Sequence, residues 1–251
     1  MSKYKAIVSD IDGTLTQINP NALPSEKVAE SIKSLSEKGF TFSFATGRPF
    51  FLVEYLVNHL GTLGPCIVDN GAVIVDSKNG NILWEAILSP QKANQILKLS
   101  KDCQMVRASC DIGGIDNPKT IPSHAKVRKI SIHDIDYDLA EQLINAVTET
   151  VSDVAAVKAA SYQSDHLTDV YFSNIKATKQ YAVFELAKLL HISPKEIIGI
   201  GDGYNDFPLL MACGLKVAMG NAVDELKEIA DEIAPSVNED GLAFIIEKYF
   251  L

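Results

Sequence analysis

The sequence predicts an α/β protein: a parallel sheet with helices on its faces, interrupted by a smaller α+β unit. Three observations carry that prediction. Short apolar runs alternate with helix-period segments in the first third of the chain. The same alternation returns after about residue 177, following a middle stretch of hairpin-like strands. Finally, the apolar runs end in polar loops, the arrangement that places ligands beyond the carboxyl ends of parallel strands.

Each element has a local reason. Ala6-Ile7-Val8 reads as a short buried strand ending at Asp10. Pro24-Ser25 opens a helix with Val28, Ile32 and Leu35 on one face, and Gly39 closes it. Phe40 to Ala45 is strand-like and breaks at Thr46-Gly47-Arg48-Pro49. Phe50, Val53, Leu56, Val57 and Leu60 predict an amphipathic helix over the next stretch. Cys66-Ile67-Val68 predicts a third strand of the parallel sheet, ending at Asp69-Asn70-Gly71. Asp10, Thr46 and Asn70 then stand at three strand ends and are expected to face one crevice. Val73 to Leu83 reads as a hairpin turning at Asn79-Gly80. In the middle, helices are predicted at Pro90 to Ser100 and Tyr137 to Val151. Strands are predicted near Met105-Val106, Val127 to Ile132, Val154 to Ala159 and Leu167 to Phe172, with a loop from Asp111 to Ala125. Beyond them come a helix at Thr178 to Leu190, a strand at Ile197 to Ile200 and the polar loop Gly201-Asp202-Gly203-Tyr204-Asn205-Asp206. A helix through Leu209, Leu210 and Ala212 and a strand at Val217 to Met219 follow. Amphipathic stretches at Val223 to Ile229 and Leu242 to Tyr249 close the chain. The implied division is a larger domain of residues 1–83 and 176–251 around an insert of residues 84–175.

At 251 residues the chain has enough length for a sizeable core. Its formal net charge of −9 argues against a nucleic-acid-binding role, which favours a basic face. Cys66, Cys103, Cys110 and Cys213 are scattered without a CxxC pair and read as reduced thiols. No apolar run approaches the ~20 residues of a membrane span, and residues 1–5 lead into the first strand without a signal-like apolar segment. A cytoplasmic protein is expected. No coiled-coil heptad announces an oligomeric state.

The chemistry begins at Asp10-Ile11-Asp12-Gly13-Thr14-Leu15. Two carboxylates one residue apart after a strand make an oxygen-rich site suited to a hard cation such as Mg²⁺. With nearby charge neutralised, one carboxylate is able to attack phosphorus while the other moves a proton. An isolated DxD is more often a solvated acidic turn, so the remaining blocks decide.

Those blocks are Thr46-Gly47-Arg48, Lys179 at a helix start, and Gly201-Asp202-Gly203-Tyr204-Asn205-Asp206. With Asp69-Asn70-Gly71, Met219-Gly220-Asn221 and Asn238-Glu239-Asp240-Gly241, the chain resembles the haloacid dehalogenase-like (HAD) phosphatase superfamily, and within it the Cof-type branch with an α/β cap. The motifs cover the first and last thirds; the middle matches only in length and position. The resemblance implies a Rossmann-like parallel-sheet core and an inserted cap domain. It implies that Asp10 is the nucleophile forming an aspartyl phosphate, that Asp12 is the acid/base, and that Thr46 and Lys179 hold the transferring phosphoryl group. Asp202 would hold Mg²⁺ with the Asp10 carboxylate and the Asp12 main-chain carbonyl, and Asp206 would ligate the metal or orient its shell. Gly47, Arg48, Asn70, Asn205 and Asn221 are the candidate substrate contacts. In this branch glycine commonly follows the active-site lysine. Here Gln180 follows Lys179, which makes Lys176 the alternative.

The implied function is a Mg²⁺-dependent phosphatase acting on a small phosphorylated metabolite such as a sugar phosphate or phosphoglycolate. The competing readings are a phosphomutase and a non-enzymatic phospho-ligand-binding protein. The insert holds more acidic than basic residues, so it is no lid for long polyanions, although Lys126, Arg128 or Arg107 are possible contacts to a second anionic group. The five histidines show no metal-ligand spacing, and Tyr204 reads as a packing residue. Hinges near Leu83 and Ile175 are expected to let the insert close over the crevice.

Overall fold

A computed structural model describes residues 2–19, 21–61, 63–111, 113–161, 163–164 and 166–251. Met1 and Ile112, touched by the readings above, lie outside the described residues. The chain divides into two compact units, Met1–Trp84 with Thr178–Leu251 and Glu85–Ala177.

The first unit is organised by β1 (Ala6–Ser9), whose four residues are all buried. A strand with neighbours on both sides and helices on both faces needs an unbroken apolar run. Ser25 caps α1 (Glu26–Glu37), its hydroxyl accepting from the Val28 N–H at 3.2 Å, and Val28, Ile32 and Leu35 are buried as the spacing predicts. β2 (Thr41–Phe44) then pairs parallel with β1.

Two expectations fail after β2. Phe50–Leu52 is a 3₁₀ turn with Phe51 72% exposed, and α2 begins only beyond it (Glu54–Leu60). Val53, at φ −125°, separates the two pieces, so the apolar spacing spans a break. β3 (Cys66–Val68) also falls short of a full place in the parallel ladder; it joins the end of β2 through a single parallel bridge, Ala45 to Ile67. A turn at Asp69–Gly71, with all three residues at positive φ, sends the chain back antiparallel into β4 (Val73–Val75). With β5 (Ile82–Glu85) these strands form a separate three-stranded sheet.

The second unit holds α3 (Pro90–Leu99), β6 (Met105–Cys110), β7 (Gly113–Asp116), β8 (Val127–Asp136), α4 (Tyr137–Thr150), β9 (Val154–Ala160) and β10 (Leu167–Asn174). Its sheet is antiparallel in the order β7-β6-β8-β10-β9. Ile130, Ile132, Val170 and Phe172 lie in the apolar core it shares with the two helices. The predicted loop at Asp111 to Ala125 instead contains the edge strand β7. Its glycines masked the strand signal, and cross-strand pairing with β6 supplies it.

The chain then returns to the first unit through α5 (Lys179–Leu189), β11 (Ile197–Gly201), α6 (Phe207–Ala212), β12 (Leu215–Ala218), α7 (Asp224–Ile229), β13 (Glu232–Ile233) and α8 (Gly241–Phe250). β13, two residues long, carries too little pattern to be read from sequence. The main sheet is parallel in the order β13-β12-β11-β1-β2. The chain leaves β1 toward β2 on one side, while β11 lies on the other side and leads away to β12. β1 and β11 therefore flank a topological switch point, where the loops beyond the strands diverge and leave a crevice. Among the described residues, no helix is long and apolar enough to cross a membrane. The four cysteines are free.

Candidate active site

The register of β1 and β11 decides what meets in the crevice. Ser9 pairs with Ile200, and the Asp10 N–H donates to the Ile200 carbonyl at 2.9 Å, so the loops after the two strands start side by side. After Asp10 the chain folds tightly, with the Leu15 and Thr16 N–H groups both donating to the Ile11 carbonyl. Gly13 makes that turn at φ +85°, and any Cβ there would overlap the Asp202 carboxylate. Thr14 is brought beneath Asp202, its hydroxyl donating to Oδ1 at 2.6 Å.

The loop after β11 is organised by Asp206. One of its oxygens accepts from the Asp202 and Gly203 N–H groups, both at 3.0 Å, and the other accepts from Lys179 Nζ at 2.6 Å. Lys179 is the first residue of α5, capped by the Thr178 hydroxyl. The turn at Asp69–Gly71 sits against that helix start so closely that a Cβ on Gly71, at φ +97°, would overlap the Thr178 carbonyl. Lys179 Nζ also donates to Asp10 Oδ1 at 2.6 Å. One buried ammonium thus bridges two buried carboxylates.

That single cation is too little charge for the site. Asp10, Asp202 and Asp206 each offer a carboxylate oxygen within 4.8 Å of the others. Burial, followed by the nearby Asp206 charge, pushes the Asp10 carboxyl up to about 8 despite Lys179. Burial likewise pushes Asp202 up to about 6. For Lys179, burial works against the charge, but Asp10 and Asp206 outweigh it and hold the ammonium protonated. Crowded, desolvated oxygens short of positive charge are a donor set that fits a hard divalent cation such as Mg²⁺.

Most of the residues predicted from sequence converge here. Thr46 is buried beyond β2, and its hydroxyl accepts from the Arg48 N–H at 3.2 Å. Gly47 lies against the Asn70 amide, and the Asn70 N–H donates to the Thr46 carbonyl at 2.9 Å. Of the two candidate lysines, Lys179 touches Asp10, whereas Lys176 is exposed and belongs to the other unit.

Other candidates fall differently. Arg48 grips the Asp12 carboxylate with Nε at 2.9 Å and with Nη2. Both ends of the Asn221 amide hold backbone, Nδ2 donating to the Gly13 carbonyl and Oδ1 accepting from the Val237 N–H, each at 2.8 Å. Asn221 therefore braces two loops and is not an open ligand group. Asn205 is exposed on the loop. Tyr204 is also exposed; its ring packs by stacking on Phe207, and its hydroxyl donates to Glu225 at 2.9 Å. In the second unit Lys126 pairs with Glu85 and Arg107 with Asp116. Thr14 went unremarked in the sequence, although its place between Gly13 and the apolar Leu15 marks a hydroxyl on the inner side of the turn.

A family model described as haloacid dehalogenase-like hydrolase matches residues 7–114 and 113–246. The chain belongs to the haloacid dehalogenase-like hydrolases. It is an enzyme of that class, and the crevice just described is shared between the two matched segments. This hydrolase is 28% identical, over 98% of both chains, to a Haemophilus influenzae protein provisionally named a phosphatase. It is 25% identical to a 5-amino-6-(5-phospho-D-ribitylamino)uracil phosphatase of Bacillus subtilis, over 98% of this chain and 96% of that one. A solved haloacid dehalogenase-like hydrolase from B. subtilis superposes with a TM-score of 0.82 at 23% identity, covering 98% of this chain and all of the other. The last comparison speaks for the fold, a parallel-sheet core with an inserted unit.

Proposed function

We propose that this hydrolase is a Mg²⁺-dependent phosphatase that cleaves the monoester of a small phosphorylated metabolite through an aspartyl phosphate on Asp10. The observation that carries the proposal is the Lys179 ammonium held between Asp10 and Asp206, in a crevice where Asp202 adds a third carboxylate. A fixed cation beside a buried carboxylate suits a nucleophile that must approach a dianionic phosphoryl group. Asp10 attacks phosphorus as the ester P–O bond breaks. Asp12, whose side chain is 30% exposed, gives its proton to the departing oxygen. It then takes a proton from the water that cleaves the aspartyl phosphate. Thr46 and Lys179 hold the phosphoryl oxygens meanwhile. Mg²⁺ would be held by the Asp10 and Asp202 carboxylates and the Asp12 carbonyl, with Asp206 fixing the loop and the lysine. When bound, it supplies positive charge that keeps Asp10 ionised and screens the phosphate.

Two relatives carry names that specify small esters: one is the 5-amino-6-(5-phospho-D-ribitylamino)uracil phosphatase, and another, from Methanopyrus kandleri, is a phosphoglycolate phosphatase. An insert with more acid than base fits a compact substrate of that kind better than a polyanion. We assign the second unit, residues 85–177, the part of a cap, and the cytoplasm as the compartment. Phosphate release from para-nitrophenyl phosphate tests the reading. It is expected with Mg²⁺, abolished by EDTA, and lost in Asp10→Asn. Failure on this ester and on a panel of sugar and organic-acid phosphates would defeat it.

A further inference from the structure

We infer that Arg48 is a positioning residue that aims the Asp12 carboxyl in both halves of the reaction; this rests on the phosphatase reading above. Arg48 and Asp12 come from loops beyond adjacent strands, β2 and β1. The guanidinium meets the carboxylate with two nitrogens, Nε at 2.9 Å on Oδ2 and Nη2 on Oδ1. A two-pronged contact fixes the plane of the carboxylate as well as its place, which a point charge does not. Among the described residues, Arg48 is the only side chain that hydrogen-bonds the Asp12 carboxylate. The Asp12 side chain is 30% exposed, so packing does little to hold it. Asp10 and Asp206, by contrast, are fixed by Lys179, and Asp202 by Thr14.

The arginine is itself anchored at its backbone. Its N–H donates to the Thr46 hydroxyl at 3.2 Å, its carbonyl accepts from the Asp69 N–H at 3.0 Å, and Pro49 follows it. The same loop thus holds the phosphoryl-facing Thr46 and the aim of the acid/base. An arginine free to bind substrate phosphate would leave Asp12 unheld.

In the first half-reaction an Asp10 oxygen bonds to phosphorus, the ester P–O bond breaks, and the Asp12 proton passes to the leaving oxygen. In the second, a water oxygen bonds to phosphorus, the P–O bond to Asp10 breaks, and the water's proton passes to Asp12. Arg48 exchanges no proton and forms no covalent bond. It acts only through Asp12.

This role makes a distinction that a substrate contact does not. p-Nitrophenolate leaves without needing a proton, whereas phenolate needs one more. Misaiming the acid therefore penalises phenyl phosphate selectively. The experiment compares kcat/KM, which reports formation of the phosphoenzyme, on p-nitrophenyl and phenyl phosphate with Mg²⁺. It uses the wild type, Arg48→Met, Arg48→Lys, Asp12→Asn and the double variant. General acid catalysis contributes roughly 10²–10⁴-fold, so Arg48→Met is expected to lose about 10²-fold on phenyl phosphate and less than about tenfold on p-nitrophenyl phosphate. Arg48→Lys, retaining the charge without the fork, should fall between. In the Asp12→Asn background, Arg48→Met should change p-nitrophenyl phosphate turnover by less than about threefold, because residues that act as a unit are non-additive. Equal losses on both esters with weaker inhibition by inorganic phosphate would overturn the inference and make Arg48 a phosphate ligand. So would an undiminished Arg48→Met, or a full additional loss in the Asp12→Asn background. A wild type silent on both esters and on the wider panel defeats the phosphatase reading itself, and this inference with it.

Discussion

Replacing Lys179 by Met removes the one ammonium that two buried carboxylates share while nearly conserving side-chain length. Both hydrogen bonds are 2.6 Å long, and the side chains of Lys179, Asp10 and Asp206 are 2%, 7% and 0% exposed. Water cannot take the place of the lysine there. Breaking a buried ion pair from one side costs about 3–5 kcal/mol. In EDTA at pH 8, where Asp10 is near its titration at about 8 and half its charge remains, we expect the lower end, about 3 kcal/mol. For a chain of this size that corresponds to a melting temperature lower by roughly 6–12 °C. Without the ammonium Asp10 binds a proton more readily, so the penalty should shrink as pH falls toward 5.5. Catalysis should fall by about 10²–10³-fold, the usual loss when a donor facing developing charge is removed. Differential scanning fluorimetry at the two pH values, beside steady-state kinetics with Mg²⁺, checks both parts. A variant as stable as the parent at pH 8 in EDTA, or a loss that does not depend on pH, would refute the idea that Lys179 offsets these carboxylates.

Other expectations follow from the same geometry. Thr14→Val deletes the 2.6 Å hydrogen bond to Asp202 and should weaken Mg²⁺ binding by roughly 10–100-fold with a small effect on folding, as isothermal titration calorimetry would record. Gly71→Ala places a Cβ into the Thr178 carbonyl from a left-handed backbone, and should cost more than the ~1–2 kcal/mol of conformational strain alone, read as a lower urea midpoint. In EDTA the folded protein should lose stability as pH rises from about 4 to about 8. Asp10 and Asp202 bind protons more tightly when folded, at about 8 and about 6 against an ordinary value of 3.8, so the stability that protonation confers disappears as they ionise. Urea midpoints should show that decline, and saturating Mg²⁺ should flatten it; a metal-free midpoint that rises over this range would contradict the charge shortage.

The legible parts of this protein were those whose signal is local. Ser25 and the Val28, Ile32, Leu35 spacing announce α1 because a cap and a 3.6-residue period need no tertiary context. The apolar run at Ala6 to Val8 is legible because a strand covered on both faces cannot alternate. Strand ends then point to Asp10, Thr46, Asn70 and Asp202 as neighbours. What the sequence hides depends on pairing. β3 looks like any parallel strand, and only the left-handed turn at Asp69–Gly71 and the return through β4 show that it starts another sheet. β7 is obscured by Gly113 and Gly114 and exists through its ladder with β6. The individual partners of site side chains are equally non-local. Arg48 and Asp12 are opposite charges on two separate loops, and Asn221 resembles a ligand group until its amide is seen to bind Gly13 and Val237.

The covalent step is the centre of the account, and it is open to direct measurement. The enzyme is mixed with p-nitrophenyl phosphate and Mg²⁺, quenched in acid within the first turnovers, digested and examined by mass spectrometry. We predict one phosphoryl group on the peptide that contains Asp10, labile to hydroxylamine, and absent when the experiment is repeated with Asp10→Asn. Steady phosphate release with that peptide never modified, or with Asp10→Asn as active as the wild type, would contradict it.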